Sequence, residues 1–264
     1  MSKTMLTDAQ LELNRVLALQ PPDKPLRLFF RDDDVDEDEA SLRRLLQFFA
    51  EAAVPLNLAI IPALLTAEAA GLLLASQAAH PGLFSLNQHG WQHRNHELMG
   101  RKCEFGVSRS YAEQLDDIAR GQERMQEAFG DGWFPAFVPP WNRCTTDTHR
   151  VLCARKFRVF SALRSAKSEP VSGLRDISIS LDLFRWQGGA TLRSAAELYA
   201  EFSTQLRQAQ AEDVPVGIML HHKVMQDDAY KFLTSLLHVL AAHRFIRIHT
   251  FEQLSELPEP PKPR

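Results

Sequence analysis

The sequence predicts one α/β domain built as a closed or nearly closed seven-stranded β/α barrel, with an open doubly wound sheet as the rival arrangement. Two observations carry this. Short apolar runs alternate with longer amphipathic stretches along most of the 264 residues, and such alternation implies parallel strands joined by right-handed crossovers. No internal repeat or linker interrupts the pattern, which favours a single domain over two.

Leu26–Phe30 reads as the first strand, followed by a helix over Glu39–Ala53 whose Leu42, Leu45, Leu46 and Phe49 share a face. Leu56–Ile61 is the next strand, ended by Pro62, and Thr66–Ala79 the next helix. Phe84–Gln88 is a third strand; a long polar segment separates it from a helix over about Arg109–Phe129. Ala136–Val138 is a short strand stopped by Pro139 and Pro140. Thr145–Arg155 is helical, with Thr145 at the N-cap. Val159–Ala162, Ile177–Leu181 and Val216–Leu220 are further strands. Helices over Ser194–Gln210 and Asp228–His243 flank the last of these, and Phe245–Ile248 is a final strand. The expected boundaries are a helical N-terminal extension over residues 1–22, the barrel over 23–256 and a Pro-rich tail over 257–264.

Hydrophobic residues are 45% and charged residues 24% of the chain, a globular composition that excludes disorder and collagen-like repeats. Lys plus Arg is 30 and Asp plus Glu 33, for a net charge of −3, so neither nucleic acid nor an anionic membrane is expected as a partner. No apolar run approaches the roughly 20 residues needed to span a bilayer. Met1–Gln20 carries Asp8 and Glu12 and makes a poor secretory signal. The three cysteines, Cys103, Cys144 and Cys153, lack a CxxC spacing, so neither a disulfide framework nor a cysteine metal cage is expected. A soluble, cytoplasmic protein is the expectation.

The polar residues that demand explanation sit just after predicted strands: Asp32, Asp33 and Asp34 after the first, His89 and His93 after the third, Pro139-Pro140-Trp141 after the fourth, Asp182 after the sixth, His221-His222 after the seventh. In a β/α barrel all these positions fall at the carboxyl face, where active sites are built. Two imidazoles four residues apart would be neighbours on a helical turn and suit one divalent metal, or they are incidental in a polar loop. Gly90 follows His89 where a zinc protease has its glutamate, so any base comes from elsewhere. Adjacent aspartates repel and usually lie in solvent. A metal would offset that repulsion, one carboxylate ligating while a neighbour stays free as general base. Strand alternation aims one of His221 and His222 inward, where it could donate a proton, or serve merely as a satisfied core histidine. After two prolines the first free backbone donor is the Trp141 N–H, placed either to hold an oxyanion or to form a rigid surface turn.

These segments together resemble the polysaccharide deacetylase family, carbohydrate esterase family four. The family pattern is a double-aspartate motif after strand one, two histidines four residues apart, an R-x-P-Y/W turn, a D-x-x-D-W stretch and a terminal L-x-H. Here stand Arg31-Asp32-Asp33-Asp34-Val35, His89-Gly90-Trp91-Gln92-His93, Val138-Pro139-Pro140-Trp141, Asp182-Leu183-Phe184-Arg185-Trp186 and Leu220-His221. No single motif is specific, but five in order, over about residues 27–251, are. The resemblance implies a distorted seven-stranded, TIM-like barrel and a metal-dependent hydrolase that removes an acyl group, N-acetyl by family precedent, from an amino sugar or saccharide. It implies Asp33 as base, Asp34 as metal ligand with His89 and His93, His221 as general acid, and the Trp141 N–H on the oxyanion. Asp32 as base with Asp33 as ligand is the other register. The His₂Asp ligand set suits zinc, the metal expected, with cobalt, nickel and iron also compatible. Val138 stands where the family has an arginine bracing the base, a role that Arg31 or Arg143 could take; Arg185 and His222 replace aspartates, and Gly90 replaces a hydroxyl residue. Two alternatives remain: a deformylase or other amide hydrolase on a small substrate, and an inactive glycan-binding barrel.

Overall fold

The first strand runs past its apolar core. In a computed structural model describing residues 8–21, 24–37, 39–164 and 173–258, β1 (Leu26–Val35) continues through Arg31 and the aspartates to Val35. Polar residues persist in a buried strand only when each finds a partner, and Arg31, Asp32 and Asp33 are all buried here. β2 (Leu56–Ile60), β3 (Phe84–His89), β4 (Trp133–Val138) and β5 (Val159–Phe160) follow in parallel on one side of β1.

The strand predicted over Ile177–Leu181 is instead split into β6 (Arg175–Asp176) and β7 (Leu181–Asp182), because the chain changes partners between them. Ile177 and Ile179 donate their N–H groups to Phe160 at the end of β5 and to Ala162 just past it, whereas Ser180 donates to Gly217 of β10 (Val216–Leu220), with which β7 pairs. β10 pairs in turn with the other side of β1, so residues 175–182 close a distorted barrel. Gly217 permits the approach: a Cβ there would lie 2.2 Å from the Phe29 ring and 2.8 Å from Ile179 Cα. A short antiparallel hairpin, β8 (Phe184–Arg185) with β9 (Thr191–Leu192), stands outside the barrel. β11 (Ile246–Ile248) pairs with the start of β1.

Helices α2 (Ala40–Ala52), α3 (Ala67–Ala79), α4 (Tyr111–Phe129), α5 (Thr146–Ala154), α6 (Ala195–Glu212), α7 (Asp227–Ala241) and α8 (Phe251–Glu256) surround the strands, and α1 (Asp8–Ala18) packs on α6. In α2 the buried residues are Leu42, Leu45, Leu46 and Phe49, the face read from their spacing. Starts are fixed by capping: Ser110 and Ser194 each form a capping box with the glutamate three residues on, and Thr145 sits at the N-cap of α5, its N–H donating to Thr148 Oγ1. No helix among the described residues is long and apolar enough to cross a membrane. The first seven residues of the expected N-terminal extension, and the Pro-rich tail beyond Pro258, lie outside the described residues.

Candidate metal centre and active site

Asp34, the last residue but one of β1, is in the left-handed region, with φ 68°, where the pairing of β1 with β2 slips between Asp32 and Val35. Simple alternation would send Asp34 to the same side as Asp32. The left-handed residue and bulge re-aim it, and its Oδ1 lies 3.2 Å from both His89 Nε2 and His93 Nε2. One ligand atom from each of these three residues lies within 4.8 Å of the other two. His89 Nδ1 is 3.0 Å from the Val138 carbonyl, which can only accept, so Nδ1 carries a proton; Nε2 faces Asp34, and would present its lone pair to a cation held there.

The electrostatics fit a cation. Burial raises the Asp34 carboxyl, but the His89 hydrogen bond and the charges of His89, His93 and His221 outweigh it and hold Asp34 well below the usual carboxylate range. His89, pulled down by burial, is raised on balance by that hydrogen bond and by Asp33 and Asp34. His93 is pushed down to about 4 by burial and by His89. One carboxylate and two imidazoles, one of them with its outer nitrogen already bonded, are a fitting donor set for a divalent ion.

The two imidazoles do not meet on a helical turn, as their spacing predicts. Residues 90–93 form a bend in which Gly90 (φ 56°) and His93 (φ 53°) are both left-handed, folding the second ring back to 5.2 Å from the first. Glu104, fully buried, holds that bend by accepting from the N–H groups of Trp91 (3.2 Å) and Gln92 (2.7 Å). Position 90 must be glycine: a Cβ there would sit 2.2 Å from Glu104 Oε2 and 2.6 Å from the Pro140 ring.

Asp33 lies on the barrel-facing side with Arg31, two residues earlier. The Arg31 guanidinium donates to both Asp33 oxygens at 2.8 Å, in the two-pronged geometry that suits carboxylates. Its remaining donors go to the Ser161 carbonyl and hydroxyl and to Asn142 Oδ1. Arg143 instead donates to the Lys102 carbonyl, so of the two candidates to brace Asp33 only Arg31 reaches it. Asp32 points the other way. Its carboxylate accepts from the His222 N–H (2.8 Å) and faces His222 Nδ1 at 2.6 Å, both residues fully buried. That geometry is against the register with Asp32 as base. His221, the other member of the pair, is half-buried on the site side, with Trp186 packed 4.5 Å from it ring to ring. Asp182 accepts from Trp186 Nε1 (2.7 Å) and the Phe184 N–H (2.9 Å), while Arg185 faces outward to Glu197.

The same arrangement of strands recurs in solved structures. A structure assigned as a polysaccharide deacetylase from Mycobacterium smegmatis matches with a TM-score of 0.64 at 15% identity, over 93% of this chain and 96% of that one. A family 4 carbohydrate esterase from Streptomyces lividans, in complex with acetate, matches with a TM-score of 0.53 at 15% identity, over 87% and 94%. A family 4 pseudoenzyme from Bacillus anthracis matches with 0.54 at 12% identity, over 89% and 67%. The chain has the family 4 carbohydrate esterase fold. No family model matches the chain in sequence, and neither does any curated protein.

In this esterase fold the turn after β4 supplies one wall of the site. Trp141 (φ 55°) and Asn142 (φ 56°) are left-handed, which places the Trp141 ring 4.3 Å from that of His93. The turn's own hydrogen bonds come from the N–H groups of Asn142, to Pro139, and Arg143, to Pro140; the Trp141 N–H takes no part in them. A tryptophan therefore flanks a histidine on each side of the mouth, Trp141 beside His93 and Trp186 beside His221. Three residues of the site lie outside the motifs of the sequence. Asn142 had a signal, being next to the Pro-Pro-Trp turn. Ser161 and Glu104 had none, since their contacts come from distant segments.

Proposed function

We propose that this chain is a divergent, metal-dependent hydrolase of the family 4 carbohydrate esterase kind, cleaving an acyl group, N-acetyl in the first instance, from an amino sugar or saccharide. The observation that carries the reading is the convergence of Asp34, His89 and His93 beside a carboxylate, Asp33, that is separately held by a buried arginine. Asp34 and the two imidazoles would hold one divalent cation, zinc by its donor set, with cobalt, nickel and iron also accommodated; a related esterase from Clostridium thermocellum was solved with a cobalt ion. Such a cation, when bound, supplies Lewis-acid polarisation of the acyl carbonyl and a more acidic attacking water.

The chain's own residues do the rest. Asp33 accepts the proton of the attacking water, and Arg31 holds both of its carboxylate oxygens fixed in orientation. The Trp141 N–H faces the oxyanion that forms as the carbonyl carbon becomes tetrahedral. His221 delivers a proton to the nitrogen, because an amine leaves readily and its anion does not. The indoles of Trp141 and Trp186 offer apolar faces on which a sugar ring can stack. Asp33→Asn tests this: the account expects turnover of an N-acetylated amino sugar to fall by about 10²–10⁴-fold with the metal still bound, and undiminished turnover removes Asp33 as base.

A second reading, a glycan-binding barrel without turnover, rests on two observations. His221 Nδ1 is buried without a hydrogen-bond partner, and Arg185, where the family has an aspartate, is turned away to Glu197. A folded protein that takes up no divalent metal at stoichiometric level, yet retains saccharide, supports that reading instead.

A further inference from the structure

We propose that the groove beside the metal centre selects a substrate carrying an anionic group, a phosphate, carboxylate or sulfate, on the sugar next to the acyl bond. This deepens the hydrolase reading of the same site and rests on it. The groove, about 550 Å³, is lined by Gln92, His93, Arg94, Asn95, Lys102 and Trp141, so it opens directly from a candidate metal ligand. Two of these residues are cations and none is a carboxylate. Both Arg94 and Lys102 are exposed, and neither makes an ion pair among the described residues, on a chain whose net charge is −3.

The nearby acids are already engaged. Glu97 accepts from the Ser108 N–H and hydroxyl (3.0 and 2.8 Å), and Glu104 from the N–H groups of Trp91 and Gln92. Asp33 and Asp34 are held by Arg31 and by the two imidazoles. The positive charge of the groove is thus left for a ligand. The Trp141 ring stands 4.3 Å from the His93 ring and 6.0 Å from Lys102 Nζ. A sugar stacked on this indole would present its acyl group towards His93 and a ring substituent towards the ammonium. With Arg94 on the same groove, the substituent that satisfies both cations is an anion.

The test compares binding of the reaction products, which needs no turnover. Calorimetry on the zinc-loaded full chain should show glucosamine 6-phosphate binding about tenfold more tightly than glucosamine, with the preference shrinking as salt is raised. The double variant Arg94→Gln, Lys102→Gln, both changes on exposed side chains, should lose that preference and leave glucosamine binding unchanged. Muramic acid and glucosamine 6-sulfate, run alongside, distinguish a carboxylate or sulfate from a phosphate. Equal binding of glucosamine and its anionic derivatives overturns the proposal, as does a preference that survives in the double variant, which would place the anion on the metal. Deacylation of N-acetylglucosamine by the same preparation is scored separately: its presence upholds the hydrolase reading even where the anion preference fails.

Discussion

Two faces of one strand end treat neighbouring aspartates in opposite ways. On the outer face of β1, Asp32 is sealed from solvent and clamps the backbone and ring of His222, just after β10. On the inner face, Asp33 is gripped by Arg31, and Asp34, swung round by its left-handed backbone, meets two imidazoles at a partly open mouth. The three successive carboxylates are separated by giving each its own partners, His222 for Asp32, Arg31 for Asp33 and two imidazoles for Asp34. The outer pair is closed to any ligand and stiffens the junction of β1 with β10, directly beside His221. The inner set brings an Asp34 oxygen and two imidazole nitrogens together at the mouth. The contrast separates a stabilising use of charge from a chemical one.

The comparison can be broken by exchanging what each face is expected to lose. The largest effect is predicted for His93→Ala, which should lower metal affinity by more than about 100-fold, beyond the loss usual for an outer-shell partner, with little change in Tm of the metal-free protein; metal titration and calorimetry check both. Asp32→Asn should do the reverse. It leaves a buried imidazole without its counter-charge, at a cost of about 3–5 kcal/mol and a fall in Tm on the order of 10 °C, with metal stoichiometry unchanged. If instead Asp32→Asn abolishes metal uptake at full stability, the two faces have been assigned the wrong way round.

Acidity sharpens the same contrast. Burial pulls His222 down, but the charge and hydrogen bond of Asp32 more than offset it, so its folded pKa is raised above the ordinary 6.5. A raised folded pKa means stabilisation that is complete below about 6.5 and lost as pH climbs through the folded value. The Tm gap between the wild-type chain and His222→Gln should therefore be widest in acid and narrow towards alkaline pH; a gap that widens with pH contradicts the pairing. Smallest is Gly90→Ala. Its Cβ has no room beside Glu104 and Pro140, at a strained φ, so about 1–3 kcal/mol of stability should be lost, with looser metal binding.

Much of this was legible in the sequence because it follows from period and position. Alternating apolar runs located the strands, and the polar residues after them marked one mouth of the barrel. The spacing of Arg31 and Asp33 puts them on one strand face, and that is where they meet. What stayed hidden depends on broken periods. Alternation groups Asp34 with Asp32, and only the bulge and the left-handed φ at Asp34 undo that. The His89–His93 spacing suggests a helical turn, whereas the rings meet through two left-handed residues. Glu104 and Ser161 reach the site from segments whose approach no local pattern encodes.

Diffraction from crystals of the cobalt-loaded chain, recorded at the cobalt absorption edge, addresses the metal centre directly. The account predicts a single anomalous peak about 2.0–2.2 Å from His89 Nε2, His93 Nε2 and an Asp34 oxygen, with Asp33 still paired to Arg31. A fully loaded crystal whose cobalt lies elsewhere, or is bound by Asp33 with Asp34 turned away, would contradict it.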